Sequence, residues 1–296
     1  MPVIDAEIPL DPDVEHAWHA WLEVTKARCH INYELEGGRL DTHIASCLEN
    51  SMITADRVTK LGHPCPRKIL EVGSSTGFNC LALSHLYPDA EIYGIEPDNE
   101  AVLVANSMAA AAGKNKVYFQ QGVGESLPYE NEEFDLIICL TVIEHVCNVE
   151  NVISEMARVL SPDGILRLEA PNYVWPYEPH LSLWCIPLLG KKFARFMALI
   201  QGKSKNVAYL DHLQFVTPGR LESAFKKNGL VWENLVQVKL EQVFEGDSSQ
   251  IKAYTRIARL MRIPAKLGLG RILVKIIMGT RLYPSVLYAV KKASHV

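Results

Sequence analysis

No apolar run in this chain of 296 residues approaches the ~18–20 residues needed to span a bilayer, which excludes a transmembrane helix. The amino terminus, Met1 to His16, has no basic stretch followed by an apolar one, so no secretory signal is expected. Metal-ribbon spacing is missing too. Seven cysteines (Cys29, Cys47, Cys65, Cys80, Cys139, Cys147, Cys185) are scattered with no Cys-x-x-Cys among them, which argues against a zinc ribbon or an iron–sulfur cluster. They read as free thiols of a reducing cytoplasm. Low-complexity segments are absent. With 48% hydrophobic and 22% charged residues, the composition is that of an ordinary globular chain, not of a disordered, collagenous or disulfide-stapled one.

Acidic residues are missing from one end. The last is Asp247, and Ser248 to Val296 holds ten Lys or Arg and no acid. Residues 1–247 therefore carry 20 basic and 34 acidic residues, a charge of −14. An acidic body with a basic tail asks for an explanation.

Periodicity organises the rest. Residues 11–30 and 40–60 read as helices, the first with Val14, Ala17, Trp18, Trp21, Leu22 and Thr25 at helical spacing. After Pro66, short apolar strands at 68–72, 91–95, 116–121, 134–140 and 165–170 alternate with helices at 78–86, 99–112 and 149–160. That alternation implies parallel pairing and a Rossmann-like, doubly wound α/β sheet. Ser161-Pro-Asp-Gly164 reads as the turn before the fifth strand. Thr217-Pro218 forms an N-cap with proline at the first helical position, and a strand is expected within 230–239. Three regions follow: an N-terminal helical segment, 1–65; an α/β domain, 66–240, with an aromatic insertion at 172–216 that reads as a lid; and a basic, helical C-terminal tail, 241–296.

In an open parallel sheet ligands bind at the carboxyl ends of the strands. The first such end reads Glu71-Val-Gly73-Ser-Ser75-Thr-Gly77. A dinucleotide fingerprint needs glycine at 73, 75 and 78, where this chain has Gly, Ser and Phe; a phosphate-binding Gly-Lys-Ser/Thr is absent. The loop is therefore not built for a pyrophosphate. The second strand ends in Glu96-Pro97-Asp98, and a carboxylate there can accept both hydroxyls of a ribose.

These residues, with Glu125-Ser-Leu-Pro-Tyr129, Phe134-Asp135 and Val142-Ile-Glu144-His145-Val146, resemble the class I S-adenosylmethionine-dependent methyltransferases. They are similar above all to the branch that includes the quinone-pathway enzymes, over roughly 65–171. The resemblance implies S-adenosylmethionine as cofactor. It places Glu71, Gly73, Ser75 and Gly77 beneath the methionine moiety, Glu96 on the ribose, Pro97 beside the adenine, Val123, Gly124 and Glu125 at the adenine edge, and Leu140 and Thr141 facing the sulfonium. Two positions depart from the family. Ser75 replaces the middle glycine, which is tolerable if its backbone conformation is ordinary. Val123 stands where an aspartate often meets the adenine amine, leaving that contact to Glu125 or to backbone amides.

In the quinone O-methyltransferases the Glu-His pair accompanies a divalent metal together with an acid three residues earlier. That position here is Thr141, so no metal is expected. His145 is either a general base, since imidazole titrates near neutrality, or part of a pair that only orders the loop. His180 and His212, set among aromatics, read as packed and not catalytic. The insertion carries Tyr173, Trp175, Tyr177, Trp184, Phe193, Phe196, Tyr209 and Phe215, an apolar wall suited to a hydrophobic, lipid-linked or sugar-bearing acceptor.

In the tail, Lys252, Arg256, Arg259 and Arg262 recur at helical spacing opposite Ile251, Tyr254, Ile257 and Met261. A basic amphipathic helix suits an anionic membrane surface, and covering the acidic body is the alternative. Nucleic acid is not expected, because the Asn/Asp-Pro-Pro-aromatic motif of base-modifying relatives is absent. The expected activity is O-methylation of a small-molecule or lipid-linked acceptor by a cytoplasmic protein, peripheral at the inner face of the membrane if the tail binds there. Two rivals remain: a methyltransferase-fold binding protein without turnover, and a nicotinamide-dependent reductase, which the failed dinucleotide loop disfavours.

Overall fold

The computed structural model describes residues 8–29, 38–60, 65–245 and 270–293. Its strands are β1 (Lys68–Val72), β2 (Glu91–Glu96), β3 (Val117–Gln121), β4 (Phe134–Leu140), β5 (Leu160–Pro171), β6 (Tyr177–Glu178), β7 (Leu183–Trp184), β8 (Leu230–Asn234) and β9 (Ser285–Lys292). Seven of them hydrogen-bond in the order β3-β2-β1-β4-β5-β9-β8, a mostly parallel sheet, and β6 and β7 form a separate hairpin. The helices are α1 (Pro12–Cys29), α2 (Leu40–Lys60), α3 (Phe78–Leu86), α4 (Asn99–Ala111), α5 (Val149–Val159), α6 (Lys191–Ile200), α7 (Pro218–Lys227), α8 (Leu235–Glu245) and α9 (Gly270–Thr280). The Rossmann-like fold expected from the strand–helix alternation is therefore present. No helix among the described residues is long and apolar enough to cross a membrane, and none of the six described cysteines is in a disulfide.

The chain divides into two compact units. The first comprises residues 1–139 and 154–167. In it β1 pairs in parallel with both β2 and β4, and β2 with β3, so that Glu71 lies opposite Gly94 on one side and Ile138 on the other. Buried on both faces, these strands are nearly all apolar: Ile69, Leu70, Leu136, Ile137 and Cys139 are fully sequestered. The N-terminal helices join this core, α1 against α4 and α2 against α3. Val14, Trp18 and Trp21 point inward at the expected spacing, and the two indoles meet edge to face at 5.1 Å.

The second unit comprises 140–153 and 168–293. Here β8 and β9 are antiparallel, Leu230 opposite Lys292 and Asn234 opposite Tyr288. The structure differs from the expected tail at this point. Residues 246–269, which hold most of the expected basic helix, lie outside the described residues, and Ser285–Lys292 is a strand of the sheet. The reason is burial: Val286, Leu287, Tyr288 and Val290 are at most 4% exposed, so the apolar run Val-Leu-Tyr-Ala-Val belongs to a core strand buried on both faces. Glu222 on α7 accepts from both the Tyr288 hydroxyl at 2.9 Å and the Arg281 guanidinium at 2.6 Å. Residues 161–164 belong to β5 and not to a turn, while the strand expected within 230–239 is β8, which gives way to helix at Leu235. The Thr217 cap is as expected, its hydroxyl accepting from the Arg220 N–H.

Asn172 fastens the entry to the insertion. Its side-chain amide donates to the Arg281 and Tyr283 carbonyls at 2.8 and 2.7 Å, and its own oxygen accepts from the Val174 N–H. Because Asn172 is buried, Asn172→Ala removes both donors from sequestered carbonyls. Urea unfolding should register a loss of about 1–3 kcal/mol; a variant as stable as the parent would contradict this account.

Candidate functional site

The first cluster of candidate residues lies at the carboxyl ends of β1 and β2. Gly73 and Ser74 both donate backbone N–H to the Ile95 carbonyl, at 2.8 and 3.1 Å, which turns the chain sharply off β1. Gly73, Ser75 and Gly77 all take left-handed conformations, with φ of 75°, 47° and 86°. The condition on which Ser75 was tolerable, an ordinary backbone conformation, is therefore not met. Its side chain does not change the turn, because the flanking hydrogen bonds and its own N–H contact hold it there at a cost of about 1 kcal/mol. Gly77 is obligatory for a further reason: a Cβ would lie 2.6 Å from the Phe119 ring and 2.9 Å from Ala105. It caps α3, whose first turn follows directly.

The Ser75 N–H donates to Glu96 Oε2 at 2.9 Å and the Asp98 N–H to Glu96 Oε1 at 3.1 Å. One carboxylate thereby joins the two loops, with acceptor capacity left on each oxygen. Burial pushes its pKa upward, against the two N–H donors, which favour the charged form. Pro97 is exposed, and its carbonyl accepts from the Gln121 side chain at 3.1 Å. Val123 bridges to Ser126 in a small turn with its side chain 46% exposed; Gly124 is buried and Glu125 half-buried. Six residues expected at the cofactor, Glu71, Gly73, Ser75, Gly77, Glu96 and Pro97, are thus brought to neighbouring turns on β1 and β2, and Val123 to Glu125 follow β3 beside β2 in the sheet.

Glu71 faces away from solvent. It is 2% exposed and accepts from the Asn79 amide at 2.8 Å and the Cys80 thiol at 3.0 Å, both on α3. Burial pushes its pKa up to about 7 despite these bonds. It therefore clamps strand to helix, locking the turn between them.

The second cluster lies in the second unit. Leu140 ends β4, and Thr141 follows in a left-handed conformation, φ 56°, which is unusual for a β-branched residue. Its N–H donates to the Glu169 carbonyl at 2.7 Å. Beyond it, Glu144 is fully buried with neither carboxylate oxygen hydrogen-bonded. Gln214 holds this stretch from the far end of the insertion, donating its N–H to the Glu144 carbonyl at 2.6 Å. His145 Nε2 lies 3.9 Å from Glu144 Oε1, and the His145 and His180 rings meet edge to face at 4.9 Å. Burial pushes Glu144 up to about 7 and, with the neighbouring His180, pushes His145 down to about 4.

His180 is the residue that sequence reasoning set aside. It reaches Glu144 and His145 because Glu178, two residues earlier and fully buried, accepts from the His180 and Leu181 N–H groups at 3.0 and 2.7 Å. Glu178 also contacts His180 Nδ1 at 2.6 Å. Burial alone would raise the Glu178 carboxyl; these donors hold it below the usual range. The Glu-Pro-His spacing on a two-residue strand was the available signal, hidden by the aromatic residues around it. Ligand atoms of Glu144, His145 and His180 all lie within 4.8 Å of one another. That set of one carboxylate and two imidazoles suits a divalent transition metal, and Glu178 on the far nitrogen of His180 is the usual outer partner of such a ligand. The expected absence of a metal rested on Thr141; His180 enters from the insertion instead. His212 ends a 3₁₀ turn and is exposed, outside this group.

Comparison with known proteins follows from this geometry. Residues 70–168 match a family described as a methyltransferase domain. The chain is similar to the uncharacterized methyltransferase YcgJ of Bacillus subtilis, 38% identical over 115 residues that make up 39% of this chain and 44% of the relative. It is also similar to a ubiquinone biosynthesis O-methyltransferase of Bartonella tribocorum, 26% identical over 55% of this chain and 60% of the relative. The chain thus spans less than two thirds of the length of either relative. A solved structure of Haemonchus contortus phosphoethanolamine N-methyltransferase 2 with S-adenosyl-L-methionine has a TM-score of 0.52 at 13% identity, over 93% of this chain and 60% of that one. This is a likeness of fold.

Two stability measurements test the first cluster. Ser75→Gly relieves about 1 kcal/mol of left-handed strain but adds about 0.4–1 kcal/mol of unfolded-chain entropy, so urea unfolding should find it as stable as the parent or more stable by up to about 0.6 kcal/mol; a clear loss would contradict the strain. Glu71, whose pKa is raised to about 7, favours the folded state most when protonated. Its contribution is complete below about pH 4.5 and is lost as pH rises through 7. Glu71→Gln should flatten urea-unfolding stability across that window, and an unchanged slope would assign the pH dependence to other groups.

Proposed function

We propose that this chain, whose residues 70–168 match a methyltransferase domain, is a class I S-adenosylmethionine-dependent methyltransferase that transfers a methyl group to an oxygen of an apolar, lipid-linked or glycosylated acceptor. The single observation that carries the cofactor reading is Glu96, held by two backbone N–H groups at the end of β2 with oxygen lone pairs still available. A ribose diol would donate to those remaining lone pairs, one hydroxyl to each oxygen. Gly73, Ser75 and Gly77 present a turn with little side-chain bulk for the methionine moiety, and Val123, Gly124 and Glu125 offer the adenine edge.

The cofactor supplies an activated methyl on a sulfonium, so the protein's part is alignment, exclusion of water and removal of the acceptor proton. His145, neutral at pH 7 because burial depresses its pKa to about 4, carries an open imidazole nitrogen that can take a hydroxyl proton. Glu144 favours a second reading of the same group. A fully buried carboxylate with no donor is unfavourable by several kcal/mol unless protonated or paired, and a divalent cation on Glu144, His145 and His180 pairs it. Such a cation would lower the pKa of an acceptor hydroxyl, and the three side chains would then hold it in place of moving protons themselves.

Calorimetry with S-adenosylhomocysteine tests the cofactor site. Glu96→Ala should weaken binding by about 1.5–3 kcal/mol, with Glu96→Gln intermediate; parental affinity in both would remove the ribose assignment. Metal analysis of protein purified without chelator, with thermal unfolding in Zn²⁺ or Mn²⁺, tests the second cluster. The parent should bind one cation and unfold at higher temperature, and Glu144→Gln should lose both effects. An absence of bound metal with no thermal shift would return His145 to the role of unaided base.

A further inference from the structure

The insertion presents an apolar surface with a basic rim. On α6 the small residues Ala194 and Ala198 are buried, while Phe196, Leu199 and Ile200 are 56%, 67% and 61% exposed. These three stand at i, i+3 and i+4, one continuous stripe. The preceding 3₁₀ turn, Pro187–Leu189, packs against α6 and adds Leu188 and Leu189 at 57% and 60% exposure. Trp184 exchanges two backbone hydrogen bonds with the Gln201 side chain, which sets it at the C-terminal end of α6 with 59% exposure. The insertion does not need these side chains for its own fold, whose core is Leu183, Cys185, Ala194, Ala198, Leu210 and Leu213.

Charge identifies the occupant. Residues 183–206 contain Lys191, Lys192, Arg195, Lys203 and Lys205 and no acid. Arg195 pairs with Asp211, while Lys191 and Lys203 donate to the Asp211 and Ser182 backbone carbonyls, which are uncharged acceptors. Large apolar groups including an interfacial tryptophan, bordered by lysines in an otherwise acidic body, match an anionic bilayer: the apolar stripe enters the acyl boundary and the lysines meet the headgroups. We propose that the insertion docks on an anionic membrane surface through Trp184, Leu188, Leu189, Phe196, Leu199 and Ile200. The membrane contact expected of the C-terminal basic residues is thereby assigned to a different part of the chain, and it does not depend on which acceptor is methylated.

Flotation of the full chain with vesicles tests the assignment. The chain should float with phosphatidylglycerol–phosphatidylcholine vesicles, less so at high salt and weakly with phosphatidylcholine alone. The double variant Leu189→Asp/Leu199→Asp should bind at least about tenfold more weakly, with unfolding and S-adenosylhomocysteine affinity unchanged because both positions face solvent. Brominated lipid should quench tryptophan fluorescence in the parent and less in Trp184→Phe. Three results would overturn the proposal: no flotation with either vesicle, parental flotation by the double variant, or a concentration-dependent dimer in sedimentation that the double variant breaks. S-adenosylhomocysteine binding, measured on the same samples, reports the methyltransferase reading separately.

Discussion

The carboxylate of Glu96 closes the turns at the ends of β1 and β2, and the cofactor reading of the first unit depends on it. Without it the Ser75 N–H, forced inward by a left-handed backbone, has no acceptor. The strain at Ser75 and the charge at Glu96 therefore sustain each other. The charge stays in a half-buried place because two N–H groups compensate part of the lost hydration. The remainder of that hydration deficit is what a ligand hydroxyl can supply.

Three buried acids elsewhere show how differently the fold treats the same side chain. Glu178 receives two backbone N–H groups and a histidine contact, and its pKa falls. Glu71 receives an amide and a thiol, weaker donors to a charge, and its pKa rises to about 7. Glu144 receives no donor at all and rises to the same value. The first two serve structure, one ordering the insertion and one clamping strand to helix. The third accepts no hydrogen bond on either oxygen from the described residues and has His145 Nε2 only at 3.9 Å, which sets it apart as a candidate functional group.

Much of this was legible before the structure. Apolar strands alternating with helices, the Gly-Ser-Ser-Thr-Gly turn and the acid ending β2 led directly to the sheet and to the first cluster. Long periodic elements such as α2 and α4 were readable almost to the residue, because burial on one face enforces their pattern. Three things were not. Ser75 looked innocuous because residue type does not reveal φ. His180 looked like packing because its partners are 36 and 35 residues away in sequence, at Glu144 and His145. β9 looked like the end of a tail because its two lysines, Lys291 and Lys292, masked the buried apolar run before them.

The insertion carries the remaining weight of the functional argument, because its side chains serve two opposite demands. Inward, a buried glutamate sets the backbone so that His180 meets Glu144 and His145. Outward, α6 buries Ala194 and Ala198, packs Phe193 and Met197 against the same core, and leaves Phe196, Leu199 and Ile200 mostly exposed, which stability alone would not favour. Exchanging the two faces would bury more apolar area, yet Ala194 and Ala198 occupy the core. More than half of the surface of Phe196, Leu199 and Ile200 stays in water after folding, so the free energy that its burial would release is available to an association. In a chain of negative net charge, the segment that carries this stripe holds four lysines besides the paired Arg195 and no acid between residues 183 and 206, and on that charge the proposal of an apolar, anionic partner rests.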